Sequence, residues 1–134
     1  MPSAAAFNHA ALVDLFFEEL LAGAITGVRA RPALTSDVHE LYRAWCEAKG
    51  RPFLASVPRF VKLLQTRHGV RLVRKRYALG MRILGPHGVL LLAPVPAPRD
   101  GFEADWLGDH ITSFSAALSH FRARVVTGDR AHAR

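Results

Sequence analysis

The stretch between Glu47 and Asp100 contains no acidic residue. These 52 residues hold eleven of the eighteen basic residues, so their formal charge is +11, while the rest of the chain sums to −4. The net charge of +7 is therefore concentrated in one segment. A local positive field attracts polyphosphates, which indicates a nucleic-acid-binding surface.

The basic residues of this segment alternate with apolar residues, including Phe60, Leu64, Leu72 and Tyr77. This composition is typical of a folded domain and not of a disordered tail. A solvated charged face is the alternative. A folded surface with this much unneutralised like charge favours an anionic partner.

The length of 134 residues predicts one domain with at most one appended element, and an apolar fraction of 50% is enough for a core. Cys46 is the only cysteine, which excludes a disulfide framework and predicts a buried, inert thiol. Asp14, Glu18 and Glu19 interrupt the first apolar run, so we expect neither a signal peptide nor a membrane span. A cytoplasmic, nucleoid-associated protein is expected.

Two helices and a strand are predicted in the first 50 residues. The first helix runs from Asn8 to Leu21 and stops at Gly23, and a short strand follows from Ile25 to Arg31. The apolar stripe of the first helix is Ala11, Leu12, Leu15, Phe16 and Leu20. The second helix starts at a cap among Thr35, Ser36 and Asp37 and ends at Gly50. Its core face is Val38, Leu41, Tyr42 and Trp45.

The third helix has signals at both ends. Ser56 is a candidate N-cap, Pro58 lies in the first turn, and Gly69 follows the last turn. Val57, Phe60, Val61 and Leu64 form its core stripe. The remaining face is basic and hydrogen-bonding. The candidate DNA-binding residues of this helix are Ser56, Arg59, Lys62, Gln65, Thr66 and Arg67.

After Gly69 the periodicity changes to that of strands. Val70 to Leu72 and Leu79 to Ile83 predict a hairpin with its tip at Arg74 to Arg76, and Gly88 to Leu92 could prolong the sheet. The candidate DNA-binding residues of this hairpin, or wing, are Arg71, Arg74, Lys75, Arg76 and Arg82.

The predicted order is helix, strand, helix, helix, strand, strand, which is an α+β winged helix-turn-helix. In such folds the second helix of the helix-turn-helix unit, here the third of the chain, enters the major groove. The wing then contacts the backbone or the minor groove. Double-stranded DNA is the expected partner.

Four short stretches resemble a known family. They are Tyr42-Arg43-Ala44-Trp45-Cys46-Glu47-Ala48-Lys49-Gly50, Phe60 with Leu63 and Leu64, Gly69-Val70, and Gly80-Met81-Arg82-Ile83-Leu84. Together they resemble the winged-helix segment at the C-terminal end of phage and plasmid primase-helicases, over roughly Asp14 to Leu84. The resemblance implies DNA binding in the replication of a mobile element.

The chain departs from that family in several respects. It has no Walker-type phosphate loop, helicase module or primase carboxylate cluster, so the resemblance carries over the binding module alone. The wing tip is also richer in arginine and poorer in glycine. Origin binding, repression of a promoter and recruitment of a replication or transcription protein remain alternatives.

The C-terminal part is predicted to contain a linker, a helix and a tail. Residues 1–93 would form the winged-helix domain, 94–101 a proline-rich linker, 102–126 a helix and 127–134 a disordered tail. The apolar seam of the helix is Leu107, Ile111, Phe114, Leu118, Phe121 and Val125. Packing on its own domain and dimerisation through Leu107, Ile111, Phe114, Leu118 and Phe121 are the two alternatives. Dimerisation would suit palindromic DNA sites.

No pattern for catalysis or metal binding is present. The seven histidines form no His-Glu-x-x-His pair and no Cys-His zinc spacing, and Cys46 has no partner histidine in the pattern. The first helix carries Asp14, Glu18 and Glu19, which predict a solvated face. We expect no enzyme activity and no cofactor. The alternatives to DNA binding are a protein-interaction adaptor and, with less support, a small RNA-binding protein or RNA-directed nuclease.

Overall fold

Four α-helices and three short β-strands form in the residues that the computed structural model describes, namely 9–51, 55–73, 88–93 and 103–132. In chain order they are α1 (His9–Leu21), β1 (Ala33–Leu34), α2 (Thr35–Ala48), α3 (Val57–His68), β2 (Arg71–Val73), β3 (Val89–Leu91) and α4 (Glu103–His132). The architecture is α+β. The predicted α+β class is confirmed, and the predicted C-terminal helix is present.

The three strands form one antiparallel sheet in the order β1-β3-β2. Leu34 pairs with Val89, and Val73 pairs with the same residue from the other side. The segment expected to prolong the sheet is thus its central strand. The hairpin strand predicted over Leu79 to Ile83 lies outside the described residues, and the observed partner of β2 is β3.

The first strand lies further along the chain than predicted. Residues 25–31 form a turn and irregular structure, in which Gly27 has a φ of 81° and the Val28 N–H donates to the Ile25 carbonyl at 3.0 Å. β1 starts after Pro32, where β3 is available for pairing. Thr35 continues this pairing through its N–H, which donates to the Gly88 carbonyl at 3.0 Å. The N-cap of α2 is therefore Leu34, with no side-chain cap, and not one of the three predicted residues.

The core is built around aromatic side chains of the first three helices. Phe16 lies edge-on to Tyr42 and Trp45, with ring centroids 5.3 and 5.6 Å apart, and Tyr42 stacks on Phe60 at 4.9 Å. The buried stripe of α1 is Leu12, Val13, Phe16, Phe17 and Leu20. Ala11 and Leu15 are exposed, so the predicted stripe was placed too far to one side of the helix.

The C-terminal helix packs on α2 and β1 of its own chain. Phe114 and Leu118 join the main core, while Leu107 and Ile111 form a second cluster with Val89. The apolar seam therefore packs on its own chain, which is one of the two predicted alternatives. The linker at 94–101 lies outside the described residues. The helix continues to His132, so residues 127–132, predicted to be disordered, extend it; a polar composition does not prevent propagation of an existing helix.

Candidate nucleic-acid interface

The outer face of α3 is fixed by the core beneath it and by both of its ends. Phe60, Val61 and Leu64 are buried. The Ser56 hydroxyl accepts a hydrogen bond from the Arg59 N–H at 3.4 Å, and Gly69 ends the helix in the left-handed region with a φ of 65°. Both predicted end signals are confirmed. Ser56 thus has a structural role as the N-cap, at the edge of the exposed face.

Four of the predicted side chains share the exposed surface of this helix. They are Arg59, Lys62, Gln65 and Thr66. Arg59 and Lys62 are three positions apart, which places their Cβ atoms about 5–6 Å from each other. Arg59 and Thr66 are seven positions apart, or about 10 Å along the axis. The exposed stripe formed by Arg59, Lys62 and Thr66 therefore spans about two helical turns.

Arg59 and Lys62 form no ion pair with a carboxylate in the described part of the chain. Their charges are therefore not balanced by a described carboxylate. The Thr66 hydroxyl donates to the Lys62 carbonyl of the same helix at 2.8 Å, so its proton is used within α3 and its oxygen and methyl group remain outward.

Arg67, another of the predicted DNA-binding residues, is paired with a carboxylate of its own chain. Its guanidinium donates two hydrogen bonds to the Asp14 carboxylate of α1, one of them from Nε to Oδ1 at 2.9 Å. His68 Nε2 lies 2.7 Å from the same Oδ1, and its ring packs against Phe17. Arg67 thus joins two helices, although its side chain remains 48% exposed.

The electrostatics of this junction follow from the pairing. Hydrogen bonding from Arg67 holds the pKa of Asp14 below its usual value, and the same bond raises the pKa of Arg67. The charge of Arg67 is consequently balanced by Asp14. Arg67 is less available to an external phosphate than Arg59 or Lys62.

A second carboxylate of α1 pairs with the end of α2. Glu19 accepts a hydrogen bond from the Trp45 indole nitrogen at 3.0 Å, and its other oxygen lies 3.3 Å from Lys49 Nζ. The prediction that the acidic residues of α1 form a solvated face was therefore wrong for Asp14 and Glu19, whereas Glu18 is exposed. Both paired residues are half-buried and border the apolar stripe, which is the signal that could have identified them.

The wing is described only at its base. Arg71 is exposed at the first position of β2, two residues after the helix-ending Gly69. Arg74, Lys75, Arg76 and Arg82 lie outside the described residues. Because β2 ends at Val73, Arg74 is the next residue along the chain. The described part of the candidate interface therefore consists of the outer face of α3 and Arg71.

The residues assigned to dimerisation lie mostly in the core of the single chain. Leu107, Ile111, Phe114 and Leu118 are 9% exposed or less, and Phe121 is half-buried against the main core. Side chains buried in this way are not accessible to a second copy while the helix is packed. The physical reason is that α2 and β1 already cover the seam.

Comparison with protein-family models, with curated proteins and with solved structures gives no match to this chain. Among the described residues, no three His, Cys, Asp or Glu side chains are grouped closely enough to hold a metal ion. None of the described helices has the length and apolar character needed to cross a bilayer.

Burial raises the pKa of the Cys46 thiol, which makes it a weak nucleophile at neutral pH.

Proposed function

We propose that this chain is a non-enzymatic winged-helix DNA-binding protein, with α3 in the major groove and the basic wing on the backbone or in the minor groove. The observation that carries the proposal is the exposed basic stripe of α3. Arg59 and Lys62 project from a helix that is capped at both ends, and the described carboxylates leave both charges unbalanced. Such a helix fits the major groove, where arginine and lysine meet guanine edges or phosphates.

The topology supports the same proposal. A helix-turn-helix unit followed by two strands is the arrangement of a winged helix, and here β1 lies between α1 and α2 in sequence and pairs with the last strand. β2, the described base of the wing, follows α3 after two residues, so it begins close to the end of the proposed recognition helix. Control of replication or transcription of a phage or plasmid is the role that the family resemblance favours.

Titration of a labelled duplex at several salt concentrations tests this proposal. We expect affinity to fall steeply as salt rises, and Arg59→Ala or Lys62→Ala to weaken binding. Arg122→Ala is the matched control, because it removes the same charge from α4, where Arg122 pairs with Glu40 at 3.6 Å. Equal losses from Arg59→Ala and Arg122→Ala would show that binding follows net charge and not α3.

A protein-interaction adaptor is the second candidate. Leu15 and Leu21 of α1 are 42% and 52% exposed, and exposed large apolar side chains are used in protein contacts. Binding of a protein partner that resists salt and tolerates Arg59→Ala, together with no affinity for duplex DNA, would favour this candidate.

A further inference from the structure

A groove of about 450 Å³ lies between the α1–β1 connection and α4. Its described lining comes from residues 23–31 and 113–117, so it shares no residue with α3 or the wing. A volume of this size is in the range of small-molecule sites, which is about 300–1,000 Å³. The groove is therefore a candidate site separate from the proposed DNA interface.

The floor of the groove is apolar and belongs to the main core. Ile25, Val28 and Phe114 line it, and each is 3% exposed or less because it also belongs to the main core. Close packing of core side chains limits their movement. A small apolar group would meet a preformed surface.

Two arginines and a hydroxyl supply the polar part of the lining. They are Arg29, Arg31 and Ser113. No Asp or Glu belongs to the described lining, and neither arginine forms an ion pair with a described carboxylate. The groove is consequently positively charged, which favours an anionic ligand.

Arg31 is held in place by α4. Its Nε donates to Nδ1 of His110 at 2.9 Å, a contact between residues 79 positions apart. Burial, and then the charge of Arg31, lower the pKa of His110, which favours the neutral imidazole that this contact requires. A guanidinium has five N–H donors, of which this contact uses one.

Arg124 joins the same loop to α4 at a second point. Its Nη2 donates to the Thr26 carbonyl, and a Cβ built on Gly27 would lie 3.3 Å from that nitrogen. Gly27 also has a φ of 81°, which a side chain would strain. The loop that carries Arg29 and Arg31 is thus fixed to α4 at two points, so the cost of ordering it on binding is reduced.

We propose that this groove binds a small organic oxyanion, with the anionic group held by Arg29 and Arg31 and the apolar part on Ile25, Val28 and Phe114. A carboxylate and a phosphate monoester share this chemistry, because guanidinium groups match the geometry of both. The proposal does not depend on DNA binding.

Calorimetric titration with four probes tests the site: benzoate, phenyl phosphate, benzyl alcohol and inorganic phosphate. We expect benzoate or phenyl phosphate to bind at least tenfold more tightly than benzyl alcohol, which lacks the anionic group. The same difference is expected from inorganic phosphate, which lacks the apolar group. Tighter binding of benzoate would identify the ligand as a carboxylate, and tighter binding of phenyl phosphate would identify it as a phosphate monoester. Binding of benzyl alcohol equal to that of benzoate, or no heat from any probe at about 10 mM, would overturn the proposal.

Variants locate the binding. Arg29→Gln removes an exposed arginine of the groove and is expected to weaken the preferred probe about tenfold without loss of folding. Arg59→Gln is its matched control, since it removes the same charge from α3. Ala117→Phe, which fills the groove from α4, should abolish binding. Equal losses from Arg29→Gln and Arg59→Gln, or unchanged binding by Ala117→Phe in a folded protein, would contradict the assignment.

Discussion

Arg67 donates two hydrogen bonds to the carboxylate of Asp14, which joins the last turn of α3 to the middle of α1 across 53 residues. Two parallel hydrogen bonds to a carboxylate are stronger than one. Because Arg67 is exposed to solvent, their contribution to stability is reduced. We expect Asp14→Asn to lower the free energy of unfolding by about 1 kcal/mol in urea titrations at neutral pH. Glu18→Gln on the same helix is the control and should change little. Equal effects of the two substitutions would contradict a specific junction.

The same pair predicts a pH dependence. The pKa of Asp14 is lowered from its ordinary value of 3.8, first of all by the hydrogen bond from Arg67. The contribution of Asp14 to the free energy of unfolding is therefore fully present above pH 3.8. It is lost as the pH falls through the lower pKa of Asp14 in the folded state. The difference in urea midpoint between the unsubstituted chain and Asp14→Asn should be maximal at neutral pH and should shrink well below pH 3.8. A difference that grows on acidification would contradict this sign.

Leu118 is expected to be a core residue, not a dimer contact. It is 5% exposed, and a carboxylate at that position would be buried without a partner. Leu118→Asp should unfold the chain, and Leu118→Ala should cost about 2–5 kcal/mol. Ser119→Asp introduces the same charge at the neighbouring exposed position and is the control. Circular dichroism and sedimentation measure both outcomes; a folded Leu118→Asp variant with half the original mass would restore the dimer interpretation.

The wing is expected to contribute through phosphates. Replacing Arg74, Lys75 and Arg76 together by alanine should flatten the dependence of log affinity on log salt by up to about one unit per lost contact. Anisotropy titrations of a duplex at several salt concentrations give this slope. If α3 reads bases, Arg59→Ala should change the DNA sequence preference as well as the affinity, which the wing substitutions should not. An unchanged slope in the triple variant would remove the wing from the interface.

Gly69 is expected to set the end of α3 by its backbone alone. Its φ is 65°, and a Cβ there would meet no atom within 4 Å, so Gly69→Ala introduces conformational strain without a clash. We expect a loss of about 1 kcal/mol in the free energy of unfolding. Gly108→Ala in α4 is the control, because that site is also open but helical, and it should gain up to about 1 kcal/mol. Equal effects would contradict a left-handed cap.

Much of the fold follows from local signals. Ser56, Pro58 and Gly69 define α3 almost to the residue, because caps and first-turn prolines act through neighbouring backbone groups. The exposed face of α3 follows in turn from the helical period. These features need no knowledge of the rest of the chain.

Long-range pairing could not be predicted in this way. The position of β1 depends on where β3 lies, more than fifty residues later, and Ile25 to Arg31 has equal strand character. The partners of Asp14 and Glu19 are also distant in sequence, so the helical period of α3 predicts that Arg67 faces outward but not that it pairs with Asp14. The groove at Arg29 and Arg31 arises only when α4 packs against the α1–β1 connection.

The central position of β3 has a consequence for the order in which the chain assembles. β1 and β2 leave the ribosome first, and the strand that pairs with each of them among the described residues, Val89–Leu91, is synthesised later. Until then the backbone groups used in this pairing are unsatisfied, and unpaired strand edges are sites of aggregation. The slow step of folding is therefore expected to be insertion of the last strand between two earlier ones, and a nascent chain arrested before Val89 should depend on a chaperone.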